Sequence, residues 1–282
     1  MNNPRNSVFK TILKAFSYAV WVCVVLFLVQ FALSHLFSWL LSILPFHIPS
    51  VIAQTIFELI SYILSILIIF IVPTKIKKLK ISPVSKSELG LNELPTWTDI
   101  GLAPVGLVVY AILAAVFNAL FTVFPWYDGN QAQDVGFNNL FLTSDRIFAF
   151  ISLVIVAPIA EELIFRGFLY QRIKNLFYRK NSDHTASTLP EQTQQKTVKK
   201  RKKRILNSHE LPAIIIATLI TSLAFGIMHG QWNVGVNVFA MSVILCIMRE
   251  ITGSIYAGIL MHMIKNMIAF YLLYIAFIGF WC

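Results

Sequence analysis

The chain has 282 residues, 57% of them hydrophobic and only 13% charged, with mean hydropathy +0.72. Soluble domains carry about 25% charged residues, so this composition with repeated long apolar runs excludes a soluble globular protein and indicates an integral membrane protein. The net charge of +10 is not a nucleic-acid signal: eleven Lys and Arg against three acids lie between Gln171 and Glu210, and the rest of the chain is close to neutral.

Taken in order, a basic lead with Arg5, Lys10 and Lys14 precedes a first helix expected over 15–44. That run is too long for a signal-peptide core and lacks a small-x-small cleavage site, so it reads as a retained helix. A second helix is expected over 51–72; its lone acid, Glu58, reads as an interfacial residue at a helix end. Lys75, Lys77, Lys78 and Lys80 follow as an anchor, and 81–99 as a polar connector. The third helix is expected over 100–124, with Asn118 inside it. A loop with Asp128, Asp134 and Asp145 leads to a fourth, beginning near Arg146 and fading after Tyr170. The basic loop at 171–210 reads as a cytoplasmic retention signal and a contact for anionic lipid. The last three helices are expected over 211–229, 234–248 and 252–280, with Arg249 and Glu250 in a turn.

The fold class is therefore an all-α polytopic membrane protein of about seven transmembrane helices. The division is 1–145 for the first three helices and 146–282 for a bundle of the last four. Basic segments fall on one side of this arrangement, and the loops at 45–50, 126–145 and 230–233 carry no Lys or Arg. The positive-inside rule places the N-terminus in the cytoplasm and the C-terminus outside a cell membrane. Cys23, Cys246 and Cys282 form no CxxC pair, which argues against sulfur ligation of a metal.

Charge is costly in hydrocarbon, from ~3 to over ~10 kcal/mol per group. Glu161, Glu162 and Arg166 sit in the apolar run of the fourth helix. Glu162 and Arg166 are four apart and share a face, so they can pair; Glu161 is turned about 100° away and free for chemistry. His229 ends the fifth helix, beside Gly226 and Gly230, whose spacing lets another helix approach. His262 and Asn266 share a face of the seventh, while Lys265 is expected to point elsewhere. Two glutamates, an arginine, two histidines and an asparagine in apolar helices are an inventory for hydrolysis: a carboxylate as general base on water and donors for a developing oxyanion. The set admits zinc, with Glu161, His229 and His262 as ligands, and equally a metal-free route.

Glu161-Glu162-x-x-x-Arg166, then Phe225-x-x-x-His229, then His262-x-x-x-Asn266 after Thr252-Gly253-Ser254 resemble the three motifs of the CPBP intramembrane protease family, also called the CAAX prenyl protease 2, Rce1-like or Abi family. The match covers about 154–266. The resemblance implies an intramembrane endopeptidase, glutamic or metal-dependent, acting on membrane-associated peptides or on C-terminal protein tails. It implies Glu161 as base, His229 as its assistant, Glu162 and Arg166 as support, and His262 and Asn266 as the oxyanion site. The alternatives are a non-catalytic membrane immunity or scaffold protein of the same fold, and a transporter using the buried charges; the latter lacks an inverted repeat. One geometric difficulty arises. At ~1.5 Å per residue, Glu161 and His262 lie at similar depth, but His229 would lie ~27 Å in if Leu211 marks the boundary.

Overall fold

The computed structural model describes residues 4–45, 48–76, 82–91, 94–129, 137, 140, 142–177 and 210–276. Lys77, Lys78, Lys80, Asp134, Cys282 and the stretch 178–209, which holds most of the basic loop, lie outside them. The described elements are helices: α1 (Pro4–Ile43), α2 (Ser50–Lys75), α3 (Lys86–Leu89), α4 (Trp97–Phe121), α5 (Thr143–Phe177), α6 (Leu211–Ile227), α7 (Trp232–Thr252) and α8 (Tyr256–Ala276). Six of them are long and apolar enough to cross a membrane; α6, at 17 residues, is the shorter apolar seventh, and α3 is a four-residue connector. The protein is an all-α polytopic membrane protein.

Several boundaries differ from expectation, each for a local reason. Helix α1 begins at Pro4, so Arg5, Lys10 and Lys14 are helical; Pro suits a first turn because its missing N–H is an orphan there anyway. Forty residues span about 60 Å, twice the hydrocarbon thickness, so α1 extends beyond the bilayer. Helix α4 starts at Trp97 because Thr96 and Asp99 form a reciprocal capping box. Asp99 also accepts from Ser254 Oγ at 2.5 Å, tying the start of α4 to the α7–α8 turn. Arg249 and Glu250 belong to α7 itself, not to a turn.

Helix α5 continues seven residues past Tyr170, and this reassigns two charges read as part of the basic loop. Arg172 pairs with Glu88 at 2.5 Å and donates to the Ser82 carbonyl at 2.9 Å; Lys174 pairs with Glu250 at 2.5 Å. Both are buried, and both hold α3 and α7 against the end of α5. Arg249 Nη2 joins them by donating to the Glu88 carbonyl at 3.1 Å, and Leu89 packs on Gly167. Burial pushes the Glu88 carboxyl above its usual range, and the Arg172 guanidinium opposes that shift.

The main core joins α1, α5, α6, α7 and α8 through Tyr18, Phe165, Phe168, Phe225, Met241, Leu245 and Met261. Helices α6 and α7 meet backbone to backbone: a Cβ on Gly226 would lie 2.9 Å from the Gly235 carbonyl oxygen. Gly226 thus provides the close approach expected of it. Gly230 does not. Its surroundings are open, and its φ of 70° shows instead that it shapes the α6–α7 turn.

Candidate active site

Helix α5 is not a regular α-helix where it carries the motif. Residues Ile151–Val156 and Leu163–Tyr170 are π-helical, flanking an α-helical turn Ala157–Glu162. In the first widened turn Ala157 N–H bonds the Ser152 carbonyl, five residues back. The next carbonyl, Leu153, would require the N–H of residue 158, which is Pro158 and has none. Asn266 of α8 supplies the missing donor, its Nδ2 lying 2.8 Å from the Leu153 oxygen. One amide proton of Asn266 therefore braces α8 on α5, and the side chain still lines the cavity described below.

Glu162 and Arg166 pair as their spacing predicts, at 2.9 Å and with both side chains fully buried. Arg166 also stacks over Phe225, 4.4 Å from the ring centroid. His262, 3% exposed, lies between the two glutamates. Its Nδ1 donates to Glu162 Oε1 at 3.3 Å, and its Nε2 faces Glu161 Oε2 at 3.7 Å. The two carboxylates thus approach opposite nitrogens of one ring, consistent with their 100° separation on the helix. Glu162 is packed from behind by Gly258, where a Cβ would sit 2.8 Å from Oε2. Gly258→Ala is expected to displace Glu162 and destabilise by about 1–3 kcal/mol. Gly101→Ala, where nothing lies within 4 Å, is the control and is expected to be neutral or slightly stabilising in the same thermal unfolding measurement.

His229 lies in the turn after α6, and its Nδ1 donates to the Phe225 carbonyl at 2.9 Å. With that proton fixed on Nδ1, Nε2 carries the lone pair. Phe225 is the common wall: its ring touches His229, His262 and Phe165 at centroid distances of 5.0, 6.1 and 4.7 Å. Glu161, His229, His262 and Asn266 line one cavity of about 210 Å³. Despite the depth expected of it from Leu211, His229 lines the same cavity as Glu161.

Four further residues line this cavity that the motif reading placed elsewhere or passed over. Tyr62 of α2 donates to Glu161 Oε1 at 2.8 Å. Glu58, expected at an interface, accepts from Gln54 at 3.0 Å and from Ser152 of α5. The signal was available: Gln54, Glu58 and Tyr62 are spaced by four and form a polar stripe on an apolar helix. Lys265 also lines the cavity, against the expectation that it points away. It is three residues from His262, which returns it to within about 60° of that face.

The ligand set proposed for zinc is not gathered. Among the described residues no group of three His, Cys, Asp or Glu side chains could hold a metal ion. The Nδ1 atoms of His229 and His262 are tied to the Phe225 carbonyl and to Glu162, which leaves both Nε2 atoms open. As placed, the donors do not come together at one point as a zinc centre requires.

Residues 143–268 match the sequence family described as type II CAAX prenyl endopeptidase Rce1-like. The matched stretch, a little under half of the chain, spans α5 to most of α8 and includes all six motif residues; α1, α2 and α4, with Tyr62 and Glu58, lie outside it. No curated protein and no solved structure matches the chain.

Proposed function

We propose that the Rce1-like cavity is the active site of an intramembrane endopeptidase that hydrolyses membrane-associated peptides or the C-terminal tails of membrane-bound proteins. The observation that carries this reading is that Glu161, His229 and His262 line one cavity, with the two Glu161 oxygens in different roles. Oε1 is held by Tyr62, and Oε2 faces the cavity and the His262 ring.

In this mechanism a water between Glu161 and His229 attacks the scissile carbonyl carbon. Glu161 takes the proton and later delivers it to the departing amine. The lone pair on His229 Nε2 orients the same water. The second amide proton of Asn266 stabilises the oxyanion that forms, and His262, whose Nδ1–H is held by Glu162, joins it only with a second proton on Nε2. Arg166 holds Glu162 and does not touch substrate.

Cleavage by the purified protein in proteoliposomes tests the proposal, with a prenylated CAAX peptide and a pool of membrane peptides as substrates. Cleavage that persists in excess chelator is expected, because the donors do not form a ligand sphere. Complete inertness toward both substrates would favour an immunity or scaffold role on the same fold. Tyr62→Phe is a finer check on Glu161: loss of a hydrogen bond to a carboxylate is expected to lower kcat about tenfold with KM unchanged.

A further inference from the structure

Lys265 is a cation in a membrane-spanning helix, and nothing in the proposed reaction uses it. It lines the same cavity as Glu58, Glu161, His229 and Asn266. It lies within electrostatic reach of Glu161 and His229, yet among the described residues no carboxylate lies within 4 Å of its ammonium. Both acids of the cavity already accept hydrogen bonds from other residues. Glu161 is held by Tyr62, and Glu58 by Gln54 and Ser152. Lys265 thus stands at a polar cavity with no anion in contact, a place that a carboxylate arriving with the ligand would fill.

Peptides bring carboxylates in two forms, the chain terminus and the side chains of Asp and Glu. Size favours the terminus. About 210 Å³ is smaller than the ~300–1,000 Å³ of pockets that enclose a drug-sized ligand, a size that suits a chain end. We propose that Lys265 binds the terminal carboxylate of the substrate and so sets the distance between the cut and the end of the chain. This inference rests on the hydrolytic reading of the cavity, and it assigns to Lys265 a specificity role. A lysine is suited to the task because its ammonium is a compact charge on a flexible stem that can follow termini of slightly different length.

The test compares two peptides of one sequence, one ending in a free carboxylate and one in an amide, with full-length protein in neutral-lipid vesicles. Wild type is expected to prefer the acid by about tenfold or more in kcat/KM, the value of one charge-assisted hydrogen bond. In Lys265→Met this ratio falls to about one; in Lys265→Arg, which keeps the charge and the fold, most of it survives. A ratio of one in wild type, or a ratio unchanged in Lys265→Met, overturns the assignment. An amidated peptide with a penultimate Asp that is cut as well as the acid also overturns it, by moving the anion to a side chain. Loss of the preference when anionic lipid is added overturns it in favour of a lipid phosphate.

If wild type cuts neither peptide, the protease reading fails but the carboxylate site is still decided by binding. A short acid peptide is then expected to raise the melting temperature of wild type more than its amide does, and to lose that advantage in Lys265→Met. Equal shifts for acid and amide would sink the site as well.

Discussion

Glu161→Gln is expected to lower kcat by about 10²–10⁴-fold, the range that a positioned general base contributes, and to leave the melting temperature close to wild type. The two halves of this expectation come from the same geometry. The Glu161 side chain is 17% exposed and lines the cavity. Its amide isostere keeps an oxygen for the Tyr62 hydroxyl, so packing and the hydrogen bond both survive. What is lost is the ability to take a proton from water. Single-turnover hydrolysis and a thermal melt on the same preparation check both halves. A Glu161→Gln protein that still cleaves at the wild-type rate would remove Glu161 from the role of base and with it the mechanism drawn here.

How much of this site was legible in the sequence follows from what helical spacing can and cannot encode. The i,i+4 rule fixes neighbours within one helix, so the Glu162–Arg166 pair could be read directly, and so could the shared face of His262 and Asn266. Contacts between distant helices carry no such spacing. The Tyr62–Glu161 bond joins residues 99 apart, and only the packing of α2 on α5 brings them together. The polar stripe Gln54, Glu58, Tyr62 marked that face of α2 as destined for a polar surface, but not which one. Lys265 was misplaced by weighing the four-residue partner, Asn266 with His262, above the three-residue one. The π-helical turns were invisible for a different reason. They depend on which carbonyl each N–H finds, and the clue, Pro158 opposite the Leu153 carbonyl, has meaning only once the register is known. The extent of α5 past Tyr170 was hidden because Arg172 and Lys174 look like loop charges until Glu88 and Glu250 are seen to face them.

Arg166→Met is expected to cost more stability than any other single change at the site. Arg166 and Glu162 have no exposed side-chain surface, and removing one partner of a buried pair leaves an uncompensated charge at a cost of about 3–5 kcal/mol. For a chain of this size that is a fall in melting temperature on the order of 10 °C. Loss of the Arg166 contact with the Phe225 ring adds to the effect, since Phe225 walls both histidines. The double variant Glu162→Gln with Arg166→Met separates structure from chemistry. It removes both charges, leaves a side-chain oxygen for His262 Nδ1, and is expected to recover a large part of the lost stability. Activity should recover less. The carboxylate that fixes His262 against the cavity is gone, and a neutral amide is a weaker acceptor than a carboxylate. Melting temperature and kcat measured on wild type, the single variant and the double variant therefore decide the role of the pair. Parallel recovery of both would make it a packing device alone. Recovery of stability with kcat still depressed about tenfold or more would place Glu162 in the chain of contacts that positions His262.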